Sequence, residues 1–163
     1  MENTYIPTQD ERVMAALSHA SALLPMMGVI APIVIWVTQK EKSRYVAFQA
    51  LQALSFQAVM IIAWFIGMGC YIISFFGTFA TTMFAASSGP ESPASPAFVL
   101  AFLIPLLTIM ILLFGGFGMV IYGLIGAFMT IQGKPFRYLF IGSRVDKFMQ
   151  PQATPAAPAD HLQ

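Results

Sequence analysis

Three long apolar runs divide the 163-residue chain, and its polar residues gather between and beyond them. Residues 13 to 37 hold no Asp, Glu, Lys or Arg, and as one helix they would extend about 37 Å, enough to cross a ~30 Å hydrocarbon layer with some tilt. The spacing predicts a first transmembrane span there. Residues 46 to 86 would run about 60 Å, twice what one crossing needs, so the run divides. Its beginning, residues 46 to 57, carries Gln49, Gln52 and Gln57 on one arc and suits an interfacial or protein-facing entry segment, while residues 58 to 86 make the second crossing. The third run, residues 98 to 132, is uncharged and also too long for one upright helix, with surplus that would tilt, kink at Pro105 or lie shallow.

Local punctuation agrees with these limits. Thr8 and Glu11 have capping-box spacing ahead of the first run. Residues 87 to 97 contain Gly89, Pro90, Pro93 and Pro96 and form an external Pro/Ser loop, because such a string cannot continue a helix. Gly133, with Pro135 two residues on, ends the third run. Residues 136 to 148 mix aromatics with cations and suit the headgroup layer, and residues 150 to 163 are a low-complexity tail expected to be disordered.

Composition decides the solvent. The chain is 58% apolar and 9% charged, against about 25% charged in an ordinary soluble domain. Lipid must therefore cover most of it. A soluble enzyme and a disordered chain are excluded, and a net charge of +1 gives no footing for nucleic acid. The lone Cys70 can form no internal disulfide.

Charge placement sets the expected topology. Lys40, Lys42 and Arg44 follow the first run and Lys134, Arg137, Arg144 and Lys147 follow the third, while the connector at 87 to 97 has no Lys or Arg. Both basic segments then face the cytoplasm as one collar. The expectation is an all-α, polytopic protein of the inner (cytoplasmic) membrane. It would be a single helical membrane domain over residues 1 to 149 with three transmembrane helices, N-terminus outside and C-terminus cytoplasmic.

Little in the runs can do chemistry. Between Glu41 and Asp146 the one carboxylate is Glu91, in the connector, so no buried acid is available to a proton-coupled transporter, an intramembrane aspartyl protease or a di-metal oxidase. His19 is the ionisable residue of the first run. Counted back from Trp36 it falls just beneath the outer headgroups, where a hydrogen-bonded packing histidine is the plain reading and a proton or metal role the sharper one. Gln49, Gln52 and Gln57 could line a polar cavity or contact a translocating chain, but an interfacial helix face is the simpler account. Cys70, Ser74, Thr78 and Thr81, with Gly77 beside them, and Gly123 with Ala127 have the spacing of helix-packing faces. No phosphate loop, zinc spacing or nucleophile elbow occurs, so the chain is expected not to be an enzyme and to carry no cofactor or metal.

The run Ala15-Ala16-Leu17-Ser18-His19, then Gly28, Pro32, Trp36, Lys40, Ser43 and the stretch from Tyr45 to Gln57, resembles a widespread family of small bacterial membrane proteins. That family is similar to the channel-type subunit of the chloroplast inner-envelope (Tic) translocon and to the magnetosome proteins MamF and MmsF. The likeness covers about residues 11 to 140 and includes Gly133, Phe136, Arg137 and Tyr138. Two positions depart from it: Gln49 stands where relatives often carry histidine, and Leu139 where proline commonly follows the tyrosine. The magnetosome branch has an acidic loop suited to iron or mineral contact, whereas residues 39 to 44 here read Gln-Lys-Glu-Lys-Ser-Arg. The resemblance implies a three- or four-helix membrane module with a part in protein translocation or membrane-complex organisation.

The leading functional expectation is a non-catalytic, translocon-like or scaffold subunit that works by helix packing. Its partners would be membrane lipids and other membrane subunits or further copies of itself, with no nucleic acid. An accessory subunit of a respiratory or photosynthetic complex is the alternative, and a small-molecule, lipid or ion transporter the remote one.

Overall fold

The computed structural model describes residues 5–24, 26–89 and 96–149. It is all-helical, with no strand among the described residues. Helix α1 spans Gln9–Ala20 and passes through a 3-10 turn, Ser21–Leu23, before α2, Ile30–Gln39. Then come two long helices, α3 (Arg44–Ser88) and α4 (Pro96–Ile131), and a short one, α5 (Gly142–Met149).

Residues 13 to 37 thus do not form the single crossing that their hydropathy suggests. The run breaks between α1 and α2 and folds back on itself. Glu11, in the first turn of α1, accepts a 2.5 Å hydrogen bond from the hydroxyl of Ser43, just beyond α2, and the rings of Tyr5 and Tyr45 lie 6.4 Å apart. The chain therefore enters and leaves this hairpin at the same end. Its tip closes with the N–H of Gly28 donating to the Leu24 carbonyl at 2.7 Å. A side chain at 28 would put its Cβ 2.2 Å from the Ser21 carbonyl oxygen, so this turn needs glycine. A run of apolar residues reports burial in lipid, and it is silent about whether the helix reverses halfway.

The capping box at Thr8 forms as expected, with Thr8 accepting from the Glu11 N–H and Glu11 from the Thr8 N–H. Ser43 caps α3 in the same manner through the N–H of Val46. At 45 residues α3 is about 67 Å long and continuous, so residues 46 to 57 are its first turns rather than a separate interfacial segment. Small residues make that possible: Ala47, Ala50 and Ala53 are fully buried where the α1–α2 hairpin packs on α3. Helix α4 runs through Pro105 without a break and stops at Gly133, whose φ of +75° lets the Lys134 N–H reach back to the Met129 carbonyl.

The interior sits at one end of the molecule. There α1, the first turns of α3, the last turns of α4 and residues 136 to 145 enclose Phe56, Phe136 and Tyr138. Residues 136 to 148 do not lie wholly at a surface, because Phe136, Tyr138 and Val145 turn inward while Leu139, Phe140 and Phe148 stay exposed. Away from this end α3 and α4 form an antiparallel pair with apolar side chains outward. The middle of the connector expected at 87 to 97 and the tail expected from 150 lie outside the described residues, while α3 and α4 extend into the connector's two edges.

Candidate functional site

The side chains singled out by chemistry do converge, at the closed end. His19 is fully buried, and so are Gln49, Gln52 and Gln57, at 2%, 0% and 5% exposure. The glutamines are thus internal, and neither an interfacial face nor the wall of an open path. Their positions follow from local structure: residues 49, 52 and 53 of α3 share one buried face, on which Gln49 meets His19 of α1 and Gln52 meets the segment after α4, while the glycines of α4 let that helix approach closely. A Cβ at Gly123 would lie 2.9 Å from that of Ala22, and one at Gly126 would lie 2.7 Å from the Phe136 ring and 3.1 Å from the His19 imidazole.

Donor and acceptor capacity fixes the wiring. Gln49 uses its amide nitrogen on the Phe136 carbonyl at 3.2 Å, so its oxygen faces His19 Nε2 at 3.1 Å and must accept. His19 is then the Nε2–H tautomer, and Nδ1 accepts from the Tyr138 hydroxyl at 3.0 Å. Gln52 closes the ring, donating to the Gln49 oxygen and the Phe136 carbonyl and accepting from the Tyr138 N–H at 3.1 Å. Gln57 donates to the Ser21 hydroxyl at 2.9 Å. Tyr138 stacks on Phe56 with centroids 4.2 Å apart, and Phe136 meets His19 edge-on at 5.4 Å. Burial raises the pKa of the Tyr138 phenol, which keeps it a donor.

This cluster ties the segment after α4 to α1 and α3. It is a neutral, saturated network. His19 also lies far from where counting from Trp36 puts it, because the hairpin returns it to the end that carries the basic residues. Tyr138 and Phe136 were legible as family-like residues, but nothing in spacing shows that they turn inward.

The basic collar gathers at this same end. Lys40, Lys42, Arg44, Lys134, Arg137, Arg144 and Lys147 are all exposed, on the α2–α3 corner and the segment after α4. The Lys40 ammonium sits 5.7 Å from the Trp36 ring centre. Arg137 pairs with Asp146 at 3.3 Å and lies over Phe48 at 5.4 Å. At the outer face of the hairpin, hydrogen bonds from Ser43 and Tyr5 pull the Glu11 pKa down from its ordinary 4.5 to about 2, and the Glu11 contact raises that of Tyr5. Among the described residues no group of three His, Cys, Asp or Glu is placed to hold a metal ion.

Of the small-residue face on α3, Thr78 makes an interhelical bond, whereas Cys70 is exposed and Gly77 faces open space. Gly123 and Ala127 do line the close approach of α4 to the hairpin.

Two helices long and apolar enough to cross a bilayer, joined to a closed polar base, define an α-helical membrane protein. The chain belongs to the magnetosome magnetite crystal formation protein family, MamF/MmsF, whose sequence profile matches residues 10–145. No curated protein and no solved structure matches it significantly. These matches do not show the expected likeness to the chloroplast translocon subunit.

Proposed function

We propose that this chain is a non-catalytic scaffold or assembly subunit of the cytoplasmic membrane, with a rigid basic base and an apolar two-helix arm that packs against other membrane subunits or further copies of itself. The observation that carries this reading is the bare arm. Within the most apolar stretch of each long helix, none of the α3 residues and 6% of the α4 residues are buried. The uncharged run on α3 is also about 60 Å long, more than one hydrocarbon core can cover, so neighbouring helices are the natural cover for the surplus.

The base supports a structural role over a conducting one. The amides that were candidates to line a polar path are consumed in hydrogen bonds that close within the chain. The family's name ties its members to magnetite crystal formation. For this chain an organising part in the membrane fits better than direct iron contact, because residues 39 to 44 are basic and the described carboxylates do not gather with other ligands.

In topology we read α3 and α4 as two crossings, with the α1–α2 hairpin dipping in from the basic side. Both termini then share the cytoplasmic face, as the Lys and Arg distribution favours. Gentle extraction into detergent followed by native mass spectrometry tests the assembly reading. The expected result is a homo-oligomer or a stoichiometric membrane complex, and a solitary monomer at membrane-like protein density would overturn it.

A further inference from the structure

A cavity of about 560 Å³ opens at the basic end, where the first turn of α3 meets the segment after α4. Lys42, Arg44 and Arg137 bring three positive charges to it, and Asp146, which pairs with Arg137, is the one acid in its lining. Tyr45 and Phe48 give it an aromatic wall, and the Phe48 ring holds the Arg137 guanidinium in place at 5.4 Å. The cavity also takes in the N-terminus of α3, whose first-turn N–H groups favour an anion.

A second observation points the same way. The Tyr45 hydroxyl is shielded from solvent yet has no hydrogen-bond partner, and it is the only such buried side-chain atom among the described residues. Buried phenols find acceptors; this hydroxyl has no surface on the cavity and has Arg12 and Glu11 for charged neighbours, so a ligand's acceptor completes it only after the Tyr45 ring turns toward the opening. We propose that the cavity is a phosphate-binding site sized for a phospholipid headgroup. Lys42, Arg44 and Arg137 neutralise the phosphate, the Tyr45 hydroxyl donates to one of its oxygens, and the aromatic wall takes the apolar part of the ligand. The cavity's level at the headgroups rests on the topology proposed above. Binding in detergent does not, so this inference and the assembly reading fail separately.

The test uses the full chain in a neutral maltoside detergent. Native mass spectrometry reads retention of added phosphatidylglycerol against phosphatidylcholine, and a thermal melt without lipid reads the effect of inorganic phosphate. The variants are Lys42→Gln with Arg137→Gln, the lone Tyr45→Phe, and a control pair, Lys134→Gln with Lys147→Gln, which removes equal charge outside the cavity. The expected result is preference for phosphatidylglycerol, weakened about thirtyfold by the cavity pair and several-fold by Tyr45→Phe, with little change in the control. Retention that inorganic phosphate leaves intact assigns the lipid, whereas a melt raised by phosphate in wild type and not in the cavity pair assigns the free anion. Tyr45→Phe keeps the ring and so reports even if the double variant unfolds. Equal loss in both pairs, no effect of Tyr45→Phe, or binding of neither ligand would overturn the proposal.

Discussion

The Thr78 hydroxyl of α3 donates to the Ala101 carbonyl of α4 at 2.8 Å. Ala101 stands four residues before Pro105, so its carbonyl is the one that the missing proline N–H leaves without a helical partner. In lipid an unmade backbone bond is costly, and a hydroxyl from the neighbouring helix replaces it. This explains why α4 passes through Pro105 without ending, and it fixes the register of the two long helices.

Thr78→Val is accordingly expected to lower the stability of the helix pair by about 1 kcal/mol, the size of interhelical hydrogen bonds in membranes. The effect should shrink in a Pro105→Ala background, where the backbone N–H restored at that position can serve the Ala101 carbonyl. Unfolding in mixed micelles of increasing denaturing-detergent fraction measures both. Equal losses in the two backgrounds would mean that the hydroxyl has no part in compensating the proline.

The closed end yields a second expectation. Gln49→Met keeps length and volume but strands the His19 Nε2–H, while the Phe136 carbonyl keeps its bond from Gln52, so a loss of about 2 kcal/mol is expected. Tyr138→Phe removes one hydroxyl from the same ring of bonds and should cost about 1 kcal/mol. Because both act on His19, the double variant should lose less than the sum. The same unfolding assay reads the cycle, and strict additivity would show that the two bonds are independent.

Much of the architecture was legible, and the reason varies by element. Thr8 and Glu11, and Gly133 with Pro135, act through neighbours a few residues away, so their helix limits appear in the sequence. The reversal between α1 and α2 was not legible, because its cause is the close approach at Gly28 and the long-range pairing of Glu11 with Ser43. The glutamines at 49, 52 and 57 mislead for a related reason. An amide on a helix face carries no mark of whether it meets headgroups or the Phe136 carbonyl 84 and 87 residues away. Hydropathy located the membrane-facing surface, and pairing over long separations built the site.

Acid should loosen the hairpin through Glu11. Its carboxylate accepts from Ser43, Tyr5 and the Thr8 N–H, which holds its folded pKa near 2 against an ordinary 4.5. A lowered carboxylate pKa stabilises the fold above the unfolded value and loses that contribution as pH falls through the folded one. The difference in thermal midpoint between wild type and Glu11→Gln should therefore be constant above about pH 4.5, decline below it and be largely gone near pH 2. The exposed position and screening by salt keep it small. A difference that grows on acidification would contradict this account of Glu11.

The hairpin also makes a prediction about sidedness that separates two crossings from three. Gln9 and Glu41 are exposed and flank the hairpin, and the Glu11–Ser43 bond brings those flanks together. In a Cys70→Ala background, single cysteines at 9 and 41 should react with a membrane-impermeant maleimide from the same face of sealed vesicles, and one at Ser92 from the opposite face. A helix crossing through residues 13 to 37 would instead place 9 and 41 on opposite faces. The two outcomes differ in sign rather than degree, and only the reversal at Gly28 decides between them. Gly28→Leu, which drives a side chain against the Ser21 carbonyl, should therefore impair the common labelling of 9 and 41 while leaving Ser92 on its own side. Labelling of 9 and 41 from opposite faces in the unmodified hairpin would remove the basis for placing both termini in the cytoplasm.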